Sequence, residues 1–409
     1  MTQIATGPFK RLVAKKQAAL GTKATTGSAK DIRRVTSTID LSKQTYQSEE
    51  IRTSMQRADM RHGVRSVSGA INGELSCGSY QGFMESVLRS AAAAAVTTGA
   101  LTNITSAVVS GSEGTFTRAS GSFITDGFKV GMVIRWAGWA SPATANNAHN
   151  FLITALTAAV MTGLMLDGVP VVAKASGDSV TCTEVGKHIS IPTTGHTRDY
   201  WTIEHNFSDI TQSEQFTDCV FTSMDIDLPA TGMSKVSFGV MGLNMDTSTS
   251  AYFVSPTAAG ATGVLAAVNG ALYIQGSRVA NVTGMKFSVN GGHSSPGGVV
   301  GYNTDPDIFP GVLDIAGEVT VLFDNVTMRD YFINETEVSI VAVFTASNAA
   351  NADFQSHVFH RVKIGGASKD DGEKGLIATM PFTALENTAG GAAVNSFPTT
   401  YWVQDSQAA

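Results

Sequence analysis

The sequence predicts an all-β protein built from a duplicated β-sandwich or barrel domain with one flanking helix and an inserted small β domain. Two observations lead to this prediction. Apolar and polar residues alternate along many segments, and two stretches of the chain repeat at constant offsets. Alternation with a period of two is typical of a strand that buries one face. It is clear at Val67 and Ile71, and again at Val319, Val321 and Phe323.

The repeat is found by shifting the residue numbers and asking whether apolar residues superpose. They do in two blocks: Ile39 falls on Phe287, Val67 on Ile315 and Phe83 on Tyr331 at an offset of 248, Phe216 falls on Phe354 and Ile226 on Ile364 at 138, and Ile203 falls on Ile340 at 137. A slip of one residue would turn the apolar side chains of a strand to its other face. The shared parity of both blocks therefore indicates a duplicated β domain.

The repeat also defines the domain organisation. Phe83 and Trp201 are 118 residues apart, whereas their counterparts Tyr331 and Val338 are only seven apart, so about a hundred residues interrupt the first copy. Such insertions are tolerated where a connection faces outward. We predict a basic N-terminal arm (1–34), a discontinuous first copy (35–96 and 189–245), an outward-facing inserted domain (97–188), a connector with a β-hairpin (246–282) and a second copy (283–409).

Three local features complete the predicted structure. A helix is expected over residues 80–95, because Phe83, Val87 and Leu88 share one face and an alanine run with high helix propensity follows. The connector contains Asn269-Gly270 between two apolar runs, which predicts a tight hairpin turn. In the inserted domain, Trp136 and Trp139 are three residues apart, and we interpret them as core residues rather than as a ligand platform.

The charge distribution divides the chain into two parts. Residues 1–48 contain nine Lys or Arg and two Asp, a balance of +7, so the rest of the chain stands at −13. A basic segment can bind nucleic acid, but this one has few aromatic residues and contains an amphipathic run over residues 9–20. Docking onto an acidic neighbour of its own kind is an equally good interpretation. Charged residues make up only 15% of the chain, which indicates extensive contact with other subunits.

The sequence contains no motif of a catalytic, cofactor or metal site. Phosphate-binding loops, zinc-protease motifs, nucleophile elbows and paired cysteines are missing. The closest histidines, His357 and His360, should lie on opposite faces of a strand. The carboxylate pairs Asp225/Asp227 and Asp305/Asp307 are interpreted as turn and strand-edge residues, and Cys77, Cys182 and Cys219 as reduced thiols. The most apolar run, residues 91–96, is too short to span a membrane, and we expect neither an enzyme nor a membrane protein.

Several segments together resemble the tail tube proteins of long-tailed, non-contractile bacteriophages. Their order along the chain carries the resemblance, since no single motif is diagnostic. They are residues 7–16, 32–38, 48–52, 59–69, 73–80, 198–204, 317–323, 361–364 and 380–385. The resemblance implies a structural protein of the virion, assembled in the host cytoplasm, whose rings stack into a hollow tube.

The duplication and the resemblance together predict an assembly. We expect three chains per ring with approximate sixfold symmetry, six chains being the alternative, and genomic DNA passing through without specific binding. The tape measure and terminator proteins of the tail are the other expected partners. Acidic side chains should outnumber basic ones on the lumen face, with Lys10, Arg11, Lys15 and Lys16 away from it, at the junction between rings.

Two other classes of function are compatible with the sequence. One is a virion adhesin or tail decoration protein, whose inserted domain binds a receptor or glycan and whose repeats form a stalk. Electron microscopy separates this class from a tube protein, because a stalk gives no closed rings. The other is a β-rich enzyme with an unrecognised carboxylate site, which would require a deep pocket with convergent carboxylates.

Overall fold

The computed structural model describes residues 4–370 and 375–408 of the chain. It is nearly all β, with 46% strand and 7% helix, which confirms the predicted fold class. Within the described residues, nineteen strands form one antiparallel sheet system and six form a second.

The elements are numbered in chain order. The chain starts with β1 (Lys10–Lys16), β2 (Lys30–Asp31), β3 (Thr36–Ser37), β4 (Asp40–Gln47), β5 (Met60–Glu74) and α1 (Gln81–Leu88). There follow β6 (Ile104–Ser110), β7 (Glu113–Arg118), α2 (Phe123–Asp126), β8 (Val133–Ala137), β9 (Phe151–Leu156), β10 (Val160–Met165) and β11 (Thr181–Glu184). Next come β12 (Lys187–Ser190), β13 (Trp201–Phe207), β14 (Gln212–Pro229), β15 (Lys235–Gly242) and β16 (Asn244–Ser248).

The remaining strands and one helix complete the chain. They are β17 (Gly270–Ile274), β18 (Ser277–Val279), β19 (Val282–Asn290), β20 (Asp314–Leu322), α3 (Thr327–Ile333), β21 (Val338–Thr345), β22 (Phe354–Ile364), β23 (Ser368–Lys369), β24 (Ile377–Ala384) and β25 (Trp402–Asp405). Short 3₁₀ helices occupy Gly7–Phe9, Ala143–Asn146 and Ala267–Asn269. We call β1–β5, α1 and β13–β16 the first unit, and β17–β25 with α3 the second unit.

Both units contribute four strands to one continuous eight-stranded sheet. Its order is β4-β5-β15-β14 from the first unit and β19-β20-β24-β22 from the second, with β23 continuing β22 beside β24. The two units join where β14 pairs with β19. The chain therefore builds one sheet from two halves with the same strand order.

A back layer covers one face of the eight-stranded sheet. It consists of β1, β13, β16 and the start of β14 in the first unit, and of β17, β21, β25 and the start of β22 in the second. Fully buried aromatic side chains such as Phe83, Phe221 and Phe238 pack in contact between the layers. One core runs through both units, and its apolar burial provides the main stabilisation.

The pairing of strands in the first unit recurs in the second. Adding a fixed number to the residue numbers of each strand turns a pair of the first unit into a pair of the second. Leu41 opposite Val67 corresponds to Val289 opposite Ile315, and Ile71 opposite Phe238 corresponds to Val319 opposite Met380. Likewise, Ile203 opposite Phe216 corresponds to Ile340 opposite Phe359. The register irregularity between Trp201 and Ile203 is matched by one between Val338 and Ile340. The 248 offset found in the sequence therefore relates the β4–β5 pair to the β19–β20 pair.

The offset of the second repeated block was wrong by five residues. The strand pairing relates β14 to β22 by 143, which places Phe216 on Phe359, whereas the sequence block used 138. The error has a simple cause. Phe216 and Phe221 are five apart, and so are Phe354, Phe359 and Ile364, so a slip of five superposes apolar residues equally well.

The N-terminal segment and the connector are also equivalent in their pairing. Leu12 lies opposite His205, and Leu272 lies opposite Ala342 at the corresponding position of the second unit. Residues 10–16 therefore form a sheet strand of the same chain instead of a separate arm. The predicted hairpin exists between β17 and β18, but its turn is Gln275-Gly276, with positive φ angles of 52° and 74°, rather than Asn269-Gly270.

The predicted helix is shorter than expected, and it is not alone. The helix α1 ends at Leu88 because Arg89 adopts a left-handed conformation with φ 56°. The alanine run that follows is not helical, and the Ala93 N–H donates to the carbonyl of His188. Two further short helices, α2 and α3, lie within the described residues. The helix α3 follows β20 as α1 follows β5, so each copy of the repeated domain has one such helix, and α2 belongs to the inserted domain.

The strands β6–β11 form a small domain with the sheet order β11-β8-β9-β10-β7-β6. Trp136 and Trp139 are buried there and pack on Phe116, which confirms their predicted role in the core. This core does not end at the small domain. It continues into the back layer of the second unit, where it includes Val358 and Trp402. The small domain therefore lies on the side of the back layer that faces away from the eight-stranded sheet.

Candidate functional site: a polar sheet face with two open edges

The uncovered face of the eight-stranded sheet is polar and carries an excess of negative charge. Strand alternation turns apolar residues such as Ile226 and Val236 toward the core and their neighbours to this face. Among the described strand residues that point to this face, the charged ones are the acidic Asp40, Glu74, Asp225, Asp227, Asp314 and Glu318 and the basic Lys235, Lys286 and Lys363. Most other positions hold small polar residues.

A groove of about 770 Å³ runs across the middle of this face, and charged side chains from both units line it. Lys286 lies 3.2 Å from Glu318 and opposite Asp227, which also lies opposite Lys235. The basic residues of the groove are thus offset by carboxylates on neighbouring strands, while Asp225 has no cation opposite it. A surface of this kind repels a polyanion and lacks the cation clusters that hold phosphates.

The eight-stranded sheet ends in two open edges. Among the described residues, β4 pairs only with β5, and β23 pairs only with β24. Most side chains of β4 are exposed. Unpaired backbone N–H and C=O groups at a sheet edge are a template for pairing with another chain. Neither edge was predicted from the sequence, because relating the edge strands to the interior ones requires the 143 offset and not the 138 offset of the sequence block.

The loops that follow β4 and β19 leave the same end of the sheet, because the two strands run in the same direction. The loop that follows β19 also contacts β5, where the Arg65 N–H donates to the carbonyl of Asn303 at 2.9 Å. Both loops expose apolar side chains: Ile51 and Met55 in the first, and Val300 and Tyr302 in the second. Exposed apolar side chains on both loops make this end of the sheet a candidate contact surface.

The four predicted junction residues lie on β1 and all have partners within the chain. Arg11 pairs with Asp31 at 2.9 Å and Lys16 with Asp199 at 2.6 Å. The Lys10 ammonium donates to the carbonyl of Ser37, and Lys15 donates to the hydroxyl of Thr25 and the carbonyl of Gly27. Their contact with another ring stays a prediction.

The histidines of β22 are structural residues on opposite faces of the strand, as predicted. His357 bonds to the Tyr401 hydroxyl in the main core, whereas the ring of His360 accepts from the Trp402 indole on the small-domain side. Burial lowers the pKa of His357 to about 3. Burial, helped by the charge of Lys129, lowers the pKa of His360 to about 4.

The remaining candidates for chemistry are also structural. Asp307 accepts from Arg198 and Tyr200, both at 2.8 Å, and Asp305 accepts from Ser295. The three cysteines are buried and free, and burial raises the pKa of each thiol. In the described part of the chain, no group of three or more His, Cys, Asp or Glu is placed to hold a metal ion. The described helices are all too short or too polar to cross a membrane.

Comparison with protein families gives one match that covers most of the chain. A family model described as phage tail tube protein matches residues 10–384, more than nine-tenths of the sequence. It spans the first unit, the small domain and the second unit as far as the end of β24. No curated protein matches the chain.

Proposed function

Because the chain belongs to the phage tail tube protein family and is therefore a structural component of the virion, we propose that three copies form each ring of a tube that conducts genomic DNA. Self-assembly into a tube together with other tail proteins follows from membership of the family. The number of chains in a ring, the passage of DNA and the non-contractile type of tail are parts of our proposal.

The observation that carries the proposal is the eight-stranded sheet with equivalent halves and two open edges. A sheet with open edges closes without exposed backbone groups if copies join edge to edge into a barrel. The two units, as copies of one domain, then alternate around the lumen. Three chains place six copies of the domain in each ring.

The size of the lumen favours three chains. Three eight-stranded sheets with strands about 4.8 Å apart give a backbone diameter of roughly 37 Å before strand tilt widens it. Side chains take up about 5 Å on each side, half the spacing of packed sheets, which leaves a lumen of roughly 27 Å. A DNA duplex passes through this lumen with little clearance. Six chains would double the backbone diameter.

In this arrangement the polar face lines the lumen, because the back layer and the small domain cover the opposite face. The acidic excess of the polar face favours the passage of DNA. A wall with basic residues would neutralise phosphates, and the release of their counterions would make the DNA bind to the wall. The small domain faces outward. Nothing in this role requires catalysis, and we propose that the protein is not an enzyme.

We propose that two regions join successive rings. One consists of the loops that follow β4 and β19, with exposed Ile51, Met55, Val300 and Tyr302. The other is β1 with Lys10, Arg11, Lys15 and Lys16, facing acidic groups of the next ring. The tape measure protein would lie inside the tube and the terminator at its end.

Cryo-electron microscopy of purified, assembled tubes tests the proposal. We expect rings of three chains, two β domains of each chain in one continuous barrel, and the carboxylates of Asp225 and Asp227 on the lumen wall. A ring of six chains with true sixfold symmetry would overturn the stoichiometry. Particles without closed rings would instead favour a stalk or decoration protein.

A further inference from the structure

We propose that residues 366–370 of one chain pair, antiparallel, with residues 38–42 of a second copy of this chain, with Ala367 opposite Leu41. The interface would consist of the open edge at β22–β23 and the open edge of β4. This inference rests on the proposed function, since it assumes that the sheets of neighbouring chains join. It adds the register and the residues that meet.

The junction between the two units inside one chain is the template. There β14 pairs with β19, with Met224 opposite Val289 and Asp225 opposite Ser288. Both strands of this junction have counterparts at the open edges. The strand β19 corresponds to β4 at the 248 offset, because the pairing of β19 with β20 reproduces that of β4 with β5.

The counterpart of β14 is β22 together with β23. The offset of 143 that relates the starts of β14 and β22 holds across the following break in the strand. Asp225 lies opposite Ser237 in the first unit, and Ser368 lies opposite Thr379 in the second. Applying 143 and 248 to the template places Ala367 opposite Leu41, Ser368 opposite Asp40 and Lys369 opposite Ile39.

The side chain at position 369 shows how the edge is protected before assembly. Its counterpart in the template, Ile226, points into the core. Lys369 instead places its ammonium over the ring of Phe323, 3.3 Å from the ring centre. An inward-pointing lysine on an edge strand is a known device against indiscriminate pairing. The open edge can therefore accept the matching β4 and discourage other strands.

Paired cysteines on the polar face test the register. In the double variant Ser368→Cys/Asp40→Cys, the two side chains lie directly opposite, at about 4.5–5.5 Å between Cβ atoms. In the matched control Ser368→Cys/Ser42→Cys, they are diagonal, at about 7–8 Å. Disulfides need roughly 3.5–4.5 Å. Mild oxidation of assembled tubes should give covalent dimers and trimers at least tenfold more efficiently in the first variant.

The outcomes separate this inference from the proposed function. If tubes form but the control cross-links better, or neither variant cross-links, the register is wrong while the tube function stands. If the wild-type chain forms no rings, the proposed function itself fails. Should the cysteine variants not assemble, a map of wild-type tubes gives the residue opposite Leu41 directly, and any residue other than Ala367 of the neighbour overturns the proposal.

Discussion

The two units have an equivalent backbone but differ in the side chains on the outer face of the back layer, which points away from the eight-stranded sheet. In the first unit, β13 and β14 present Glu204, Asn206 and Gln215, whereas the second unit has Val341, Val343 and Val358 at the corresponding positions. All six side chains are buried. The difference lies in what covers them.

In the first unit the cover consists of loops with their own hydrogen-bonding groups. The Glu204 carboxylate accepts from the Ser213 hydroxyl at 2.6 Å and from the N–H groups of Tyr252 and Phe253 at 2.7 and 3.1 Å. A buried carboxylate is tolerated when such donors satisfy it. The polar residues of this face thus hold the loop that follows β16.

In the second unit the cover is the small domain, which completes a shared apolar core. Trp402, whose counterpart in the first unit is Asp246, is fully buried beside Phe397. The Gln404 side chain bonds to the backbone of Val133 and Val185 and fixes the small domain in place. The inserted domain therefore provides one side of an apolar core that it shares with the second unit.

Removal of the small domain should have the largest effect. Replacing residues 97–184 by a short Gly/Ser linker exposes Val341, Val343, Val358 and Trp402, and each buried side chain contributes about 1.5–3 kcal/mol. The sum, roughly 6–12 kcal/mol, is comparable to the entire stability of a domain. We expect insoluble protein and no tubes, measured by soluble yield and electron microscopy.

A variant designed from the first unit is the matched control for this deletion. Val341→Glu, Val343→Asn, Val358→Gln and Trp402→Asp, combined with the deletion, give the second unit the polar face of the first. We expect these changes to recover soluble protein. A deletion variant that is soluble and assembles without them would show that the small domain and the second unit do not share a core in solution.

The next largest effect should come from single substitutions at one equivalent position, which should lower stability far more in the second unit than in the first. Trp402→Ala removes a buried indole that also donates to His360 at 2.9 Å, and such truncations cost about 3–5 kcal/mol. Asp246→Ala changes the equivalent position of the first unit, where the side chain is 53% exposed, and should change stability by less than about 0.5 kcal/mol. Denaturant unfolding measures both. Equal losses would contradict the difference in burial between the two equivalent positions.

Acid should destabilise the second unit through its buried histidines. The pKa of His357 is lowered to about 3 and that of His360 to about 4 in the folded state, so the unfolded chain binds more protons. Stability is then complete above pH 6.5 and falls as the pH decreases toward 4, by roughly 2 kcal/mol per histidine at pH 5.

Urea unfolding between pH 7.5 and 4.5 measures this dependence. The variant His357→Phe should have a smaller pH slope than the wild type, because the unfolded chain then has one less group to protonate. His62→Gln, on the exposed part of β5, is the matched substitution at a histidine that is not buried. An unchanged slope in His357→Phe would show that this histidine is not held neutral by burial.

Much of this architecture was present in the sequence, and the errors have physical causes. Alternation of apolar and polar residues predicted the all-β class, and the 248 offset predicted that β19 and β20 repeat β4 and β5. The alanine run failed to continue α1 because backbone pairing with β12 competes with helix propensity. The shared core was missed although residues 338–344 are apolar on both faces apart from Ser339. Such a run is typical of a strand buried on both sides.

The open edges could not be recognised from propensity, because an edge differs from a central strand in its neighbours. The misplaced 138 offset hid the relation between β14 and β23, so the template junction could not be transferred. The equivalence of β1 and β17 was missed for a related reason. The two strands share a position but not a composition: β1 carries four cations, whereas β17 (Gly270–Ile274) has none.

The four cations of β1, which β17 lacks, lead to the prediction with the smallest expected effect. Changing Lys10, Arg11, Lys15 and Lys16 to Glu should shorten tubes while rings still form, because exposed ion pairs contribute only about 0–1 kcal/mol each but recur in every chain. Since these side chains also have partners within the chain, the melting temperature must be measured alongside. Arg278→Glu, on the hairpin strand beside β17, is the matched control. Rising salt should shorten wild-type tubes in the same way, and quadruple-variant tubes of normal length throughout a salt series would remove β1 from the ring-to-ring junction.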